Sequence, residues 1–88
     1  MTTPPRTTTL RYWASAREAA GVASEETTAA TLGEALLLAR SVRNERFAKV
    51  LSVCSFVVDG SPVGSRDHGS VDLVGGGRVD VLPPFAGG

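Results

Sequence analysis

The chain has 88 residues, 42% of them hydrophobic and 20% charged, a composition that excludes a disordered segment and allows one packed domain. A domain of this size buries only about 60–65% of its unfolded surface, so its core is thin. Lys plus Arg and Asp plus Glu number nine each, and no basic stripe is visible, which removes the electrostatic case for nucleic acid or an anionic membrane.

The opening "MTTPPR" has no apolar leader pattern, and no apolar run approaches the roughly 18 residues of a membrane span. The expectation is a cytoplasmic protein with a mobile tail over 1–6, one domain over 7–84 and a flexible tail over 85–88. "TTTLRYWA" (Thr7 to Ala14) is rich in β-branched and aromatic residues and reads as a strand. Its alternation puts Leu10, Tyr12 and Ala14 on one face and Thr9, Arg11 and Trp13 on the other. "SAREAAG" reads as a helical turn closed by Gly21, and "SEETTAA" (Ser24 to Ala30) as a polar strand near a sheet edge.

Thr31 and Glu34 form a capping box, each side chain satisfying a backbone N–H at a helix start. Leu32, Ala35, Leu36, Ala39 and Val42 then recur on one face of an amphipathic helix. "RNERFAKVL" fits a further helical turn that carries Phe47, Val50 and Leu51 to the core. "SVCSFVVD" (Ser52 to Asp59) reads as a strand, and Asp59-Gly60 as a two-residue hairpin turn. Pro62 confines the return strand near Val63 to an edge. Residues 64–77 are mainly a Gly-rich loop, with "SVDLV" a short element. "RVDVL" (Arg78 to Leu82) is the last strand, ended by Pro83-Pro84. One amphipathic helix covering one face of a small mixed sheet is an α+β fold.

Few residues offer chemistry. Cys54, the only cysteine, forms no internal disulfide and reads as a small buried hydrophobe; no Cys/His cluster is available to a metal. His68 lies in a Gly-rich loop without a nucleophile partner. "VGGGRVD" precedes a strand, whereas a phosphate-cradling loop opens a helix. The end of the sequence, "PPFAGG", leaves two readings. It is either a frayed terminus or a terminal carboxylate on a thin arm that threads into another protein's active site. The four residues after Pro84 reach about 13 Å. Trp13 also has two readings, a residue covered by a loop or an exposed anchor that pairs with Leu82, bordered by Arg17, at a protein interface.

Trp13, Ala14, Arg17 and Glu18 in "WASARE", the "FVVDG" strand and turn, and the ending "VDVLPPFAGG" together resemble the small subunit of molybdopterin synthase. The resemblance covers the chain from about Leu10 to Gly88 and implies a β-grasp, ubiquitin-like sulfur carrier. It implies that an E1-like adenylyltransferase consumes ATP to adenylate Gly88, and that a sulfur donor system then converts it to a thiocarboxylate. The large synthase subunit would receive Phe85, Ala86 and Gly87 in its active site, with Trp13, Arg17 and Leu82 at the interface, in a heterotetramer. The sulfur would go to cyclic pyranopterin monophosphate in molybdenum cofactor biosynthesis. The small subunit would bind no cofactor or metal and would not be catalytic alone. A carrier for thiamine or cysteine synthesis, or a non-covalent interaction module, is the alternative.

Overall fold

The structure, a computed structural model, describes residues 6–84. Its elements in chain order are β1 (Thr8–Tyr12), α1 (Ala14–Ala20), β2 (Ser24–Thr27), α2 (Leu32–Ser41), α3 (Glu45–Ser52), β3 (Ser55–Val58), β4 (Ser61–Pro62), a 3-10 turn (His68–Ser70) and β5 (Arg78–Leu82). The sheet order is β2-β1-β5-β3-β4, with β1 and β5 parallel and the other neighbours antiparallel. This is the expected α+β arrangement, with the first and last strands side by side at the centre.

The alternation in β1 is as the sequence indicates: Thr8, Leu10 and Tyr12 are buried, whereas Arg11 and Trp13 are exposed. The strand is shorter than expected, because Trp13 becomes the N-cap of α1 and Ala14 leaves the strand with φ at 49°. Gly21 closes α1 in the left-handed conformation, its N–H bonded to the Arg17 carbonyl. Only Ser24–Thr27 of the expected second strand pairs, and it lies at the sheet edge.

The Thr31 hydroxyl caps α2 by accepting from the Glu34 N–H at 3.2 Å, while the Glu34 carboxylate accepts from the Ala30 N–H at 3.3 Å. The reciprocal bond therefore reaches one residue further back than in the simple capping box. Leu32, Ala35, Leu36 and Ala39 are buried, but Val42 is 75% exposed, a correction to the expected stripe. It stands at the C-cap, where the backbone has left helical geometry and no longer carries the stripe inward. The helical turn expected over "RNERFAKVL" is a full helix, α3, capped by the Asn44 side chain accepting from the Phe47 N–H. Ser52 and Val53 end that helix, so the strand expected from Ser52 starts only at Ser55.

The core lies between the helices and one sheet face, with Leu10, Tyr12, Leu32, Phe47, Val79 and Val81 at its centre. Tyr12 and Phe47 meet edge to face at 5.7 Å between ring centroids. Within the Gly-rich loop, Val71 and Leu73 are tied to the start of α2 and the residues before it by paired bonds, Leu32 N–H to Val71 O and Leu73 N–H to Ala30 O.

Asp59 and Gly60 both adopt positive φ, 48° and 83°, the two-residue hairpin turn expected. The Asp59 carboxylate then accepts from the Arg78 N–H at 2.7 Å, across a gap that only Gly77 leaves open. A methyl group at 77 would enter that carboxylate. Gly77→Ala is therefore expected to cost about 1–2 kcal/mol by displacing the bond. In the Asp59→Gly background the same change should cost clearly less; equal costs in the two backgrounds, read by urea denaturation, would refute the clash.

Candidate functional site

The parallel register of β1 with β5 assembles the candidate interface. Leu10 faces Val79 and Arg11 faces Asp80, and the Trp13 N–H donates to the Val81 carbonyl at 3.2 Å. The Trp13 ring thus leaves the sheet where β5 ends at Leu82, on the face away from the helices. Trp13 is 38% exposed and Leu82 half-buried. The indole Nε1–H donates to Asp80 Oδ1 at 2.9 Å, and Asp80 Oδ2 holds the Arg78 guanidinium at 3.2 Å. The Arg11 guanidinium lies 4.6 Å from the Trp13 ring centroid.

Trp13 and Leu82 are therefore brought to one region. Arg17 is exposed on α1 and lines a separate shallow depression with Glu18, Gly21, Val22 and Ala23. The cation set over the Trp13 ring is Arg11. Sequence reasoning missed Arg11, Arg78 and Asp80 as partners of Trp13. Their signal was available in the alternation of both strands once the strands are taken as neighbours. Phe85, Ala86, Gly87 and Gly88 lie outside the described residues. The strand that leads to them is central, and Pro83 just beyond it is buried.

The remaining candidates take structural places. The Cys54 thiol donates to the Val50 carbonyl at 3.2 Å, and burial pushes its pKa up, away from thiolate chemistry. His68 packs its ring edge-on against Phe56 at 5.1 Å. Among the described residues no group of three or more His, Cys, Asp or Glu could hold a metal ion, and no helix is long and apolar enough to cross a membrane.

One titratable group gives the fold a pH response. The Tyr12 hydroxyl donates to Glu25 Oε2 at 2.5 Å; burial first, then the bond to that carboxylate and its charge, push the tyrosine well above its ordinary pKa near 10, with Arg43 opposing. Because the folded pKa lies above the unfolded one, the stability this supplies is complete below about pH 10 and is lost as the pH rises further. Tyr12 is the only tyrosine. Native protein is expected to show no tyrosinate absorbance in the ordinary tyrosine range until it unfolds, and Tyr12→Phe should flatten the alkaline loss of stability. Reversible titration near pH 10 in folded protein would contradict this.

A five-stranded mixed sheet that wraps helices on one face, with parallel first and last strands, defines a β-grasp domain of the ubiquitin-like class. The ThiS family model matches residues 10–88, and the chain belongs to that family. Among solved structures it is similar to small archaeal modifier protein 1 from Methanosarcina acetivorans, with a TM-score of 0.79 at 16% identity over 98% of this chain and 100% of that one. It is similar to the Haloferax volcanii HVO 2177 protein, with a TM-score of 0.74 at 27% identity over 94% of this chain and 87% of that one. A Pyrococcus furiosus protein described as a candidate molybdopterin converting factor, subunit 1, aligns with a TM-score of 0.72 at 22% identity, over 90% of this chain and 98% of that one. No curated protein matches the sequence. The chain is thus a carrier-type β-grasp domain of that family.

Proposed function

We propose that this chain is the sulfur carrier subunit of a molybdopterin synthase. Its work is done by the carboxylate of Gly88. A carboxylate is a poor electrophile, so an E1-like enzyme first directs one of its oxygens to the α-phosphorus of ATP, and pyrophosphate leaves. Sulfide from a donor then attacks the acyl carbon as HS⁻ and AMP departs, leaving a thiocarboxylate. The large synthase subunit receives Phe85, Ala86 and Gly87 in its active site, while Trp13, Arg17 and Leu82 meet its surface. The thiocarboxylate sulfur passes to cyclic pyranopterin monophosphate.

The observation that carries this reading is the exit of β5. A central strand with a buried Pro83 at its end gives the following segment a rigid base, beside an exposed tryptophan fixed by Asp80. The name of the Pyrococcus furiosus neighbour supports the molybdopterin branch. The archaeal modifier neighbours favour a second reading, in which the activated carboxylate is passed to an amine of another protein. Intact mass after incubation with ATP, a sulfide source and a matched activating enzyme tests the first reading. The expected gain equals exchange of one oxygen for sulfur, followed by its loss when large subunit and cyclic pyranopterin monophosphate are added. Loading without that loss would reject the acceptor, and absence of loading by an active enzyme would reject the carrier.

A further inference from the structure

One edge of the sheet holds a feature apart from Trp13 and Leu82. β2 is an edge strand, and its bonding pattern shows which of its backbone groups are uncommitted. The Tyr12 N–H donates to the Ala23 carbonyl at 2.9 Å, so Tyr12 and Ala23 form a hydrogen-bonded antiparallel pair. Such pairs alternate with non-bonded ones. In the observed register Leu10–Glu25 and Thr8–Thr27 are then bonded pairs, whereas Ser24 and Glu26, facing Arg11 and Thr9, turn N–H and C=O outward. The strand carries none of the lysine or proline that commonly blocks such an edge.

Beside this edge a cleft of about 300 Å³ opens between β2 and α2. Its apolar wall is Leu10, Ala35, Leu38, Ala39 and Val42, and its rim includes Glu25 and Glu26. Leu38 is 49% exposed, one helical turn before the still more exposed Val42. The two rim carboxylates differ. Glu25 is paired with Arg43 at 2.8 Å, on the helix side. Glu26 accepts from the Thr7 and Thr9 hydroxyls at 2.7 and 2.8 Å on the open face, and these bonds hold its pKa below the usual carboxylate value. Among the described residues no cation balances it.

We propose that this edge and cleft bind an extended segment of a partner protein in which aliphatic residues alternate with lysine or arginine. The segment adds a strand to β2, bonding to the outward groups of Ser24 and Glu26. Alternation then sends every second side chain into the cleft against Leu38 and Val42, and the intervening ones to the open face beside Glu26. Charge selects this occupant over a second copy of the chain. Two β2 edges paired about a two-fold axis would bring two Glu26 carboxylates to the same face, where like charges oppose pairing.

The test is an amide NMR titration of the full chain with a short blocked peptide alternating valine and lysine. Shifts are expected at residues 24–28 and 38–42, with slowed exchange of the Ser24 and Glu26 amide protons. Leu38→Asp alters a half-exposed side chain, leaves the fold intact and should weaken binding about tenfold or more. Glu26→Lys should transfer the preference to a peptide alternating valine and glutamate. The proposal is overturned by equal binding of both peptides to the parent chain, by binding indifferent to Leu38→Asp, by no shifts at large peptide excess, or by shifts that follow protein concentration alone, which would indicate self-pairing.

Discussion

Deletion of Gly88 is expected to reduce sulfur loading by about a hundredfold or more while leaving the melting temperature unchanged. The shortened chain would still end in a glycine carboxylate, that of Gly87, with the same chemistry. It would end about 3.3 Å short of its position in the activating site. A misplacement of about 1 Å already costs on the order of a hundredfold in rate, so a full residue should remove detectable turnover. Intact mass after incubation with the activator measures the loading, and thermal denaturation measures the fold. A deleted chain that loads as well as the parent would exclude Gly88 as the acceptor. Loss of loading with a lowered melting temperature would show instead that the last residue serves the fold.

Arg43→Ala should produce the largest stability loss of a single substitution at a polar side chain. The guanidinium bonds to the Ala20 carbonyl at 3.1 Å and the Ala39 carbonyl at 3.0 Å, and pairs with Glu25 at 2.8 Å. It also lies over the Phe47 and Tyr12 rings, at 4.9 and 5.5 Å. One side chain therefore joins the ends of α1 and α2 to β2. Its removal would leave a half-buried Glu25 carboxylate with only the Tyr12 hydroxyl as partner. Exposure of the pair lowers the cost below that of a fully buried one, to about 2–3 kcal/mol. In a domain of this size that is about 10–20 °C in melting temperature. Arg43→Lys should recover only part, since an ammonium lacks the planar fork that serves three acceptors. An Arg43→Ala chain melting within a few degrees of the parent would show the network to be dispensable.

Arg43 also marks the limit of what the sequence discloses. The capped start of α2, the Asp59-Gly60 turn and the inward Leu10 and Tyr12 were all legible, because each is a local pattern of spacing or turn chemistry. Arg43 follows the apolar stripe of α2, where no local pattern marks it. Its role arises from Ala20 and Glu25, which the tertiary fold alone brings to it. Val42 failed for a related reason: periodicity extrapolates a helix, but the C-cap stops it one residue early. Trp13 was legible as an outward residue on the face of Arg11, but Asp80 was not legible as its partner, since cross-strand partners depend on register. α3 was legible as a helical turn from its apolar spacing, and Asn44, three positions before Phe47, marks its start.

The central position of β5 also bears on how the protein is made. During synthesis β1 and β3 emerge well before the strand that belongs between them. Until residues 78–82 leave the ribosome, each therefore exposes a bonding edge that nothing in the nascent chain can satisfy. A polypeptide arrested before β5 would be an open sheet prone to association, and nucleation must wait for contacts between the two ends of the sequence. The segment proposed to carry sulfur follows directly on the strand that permits folding.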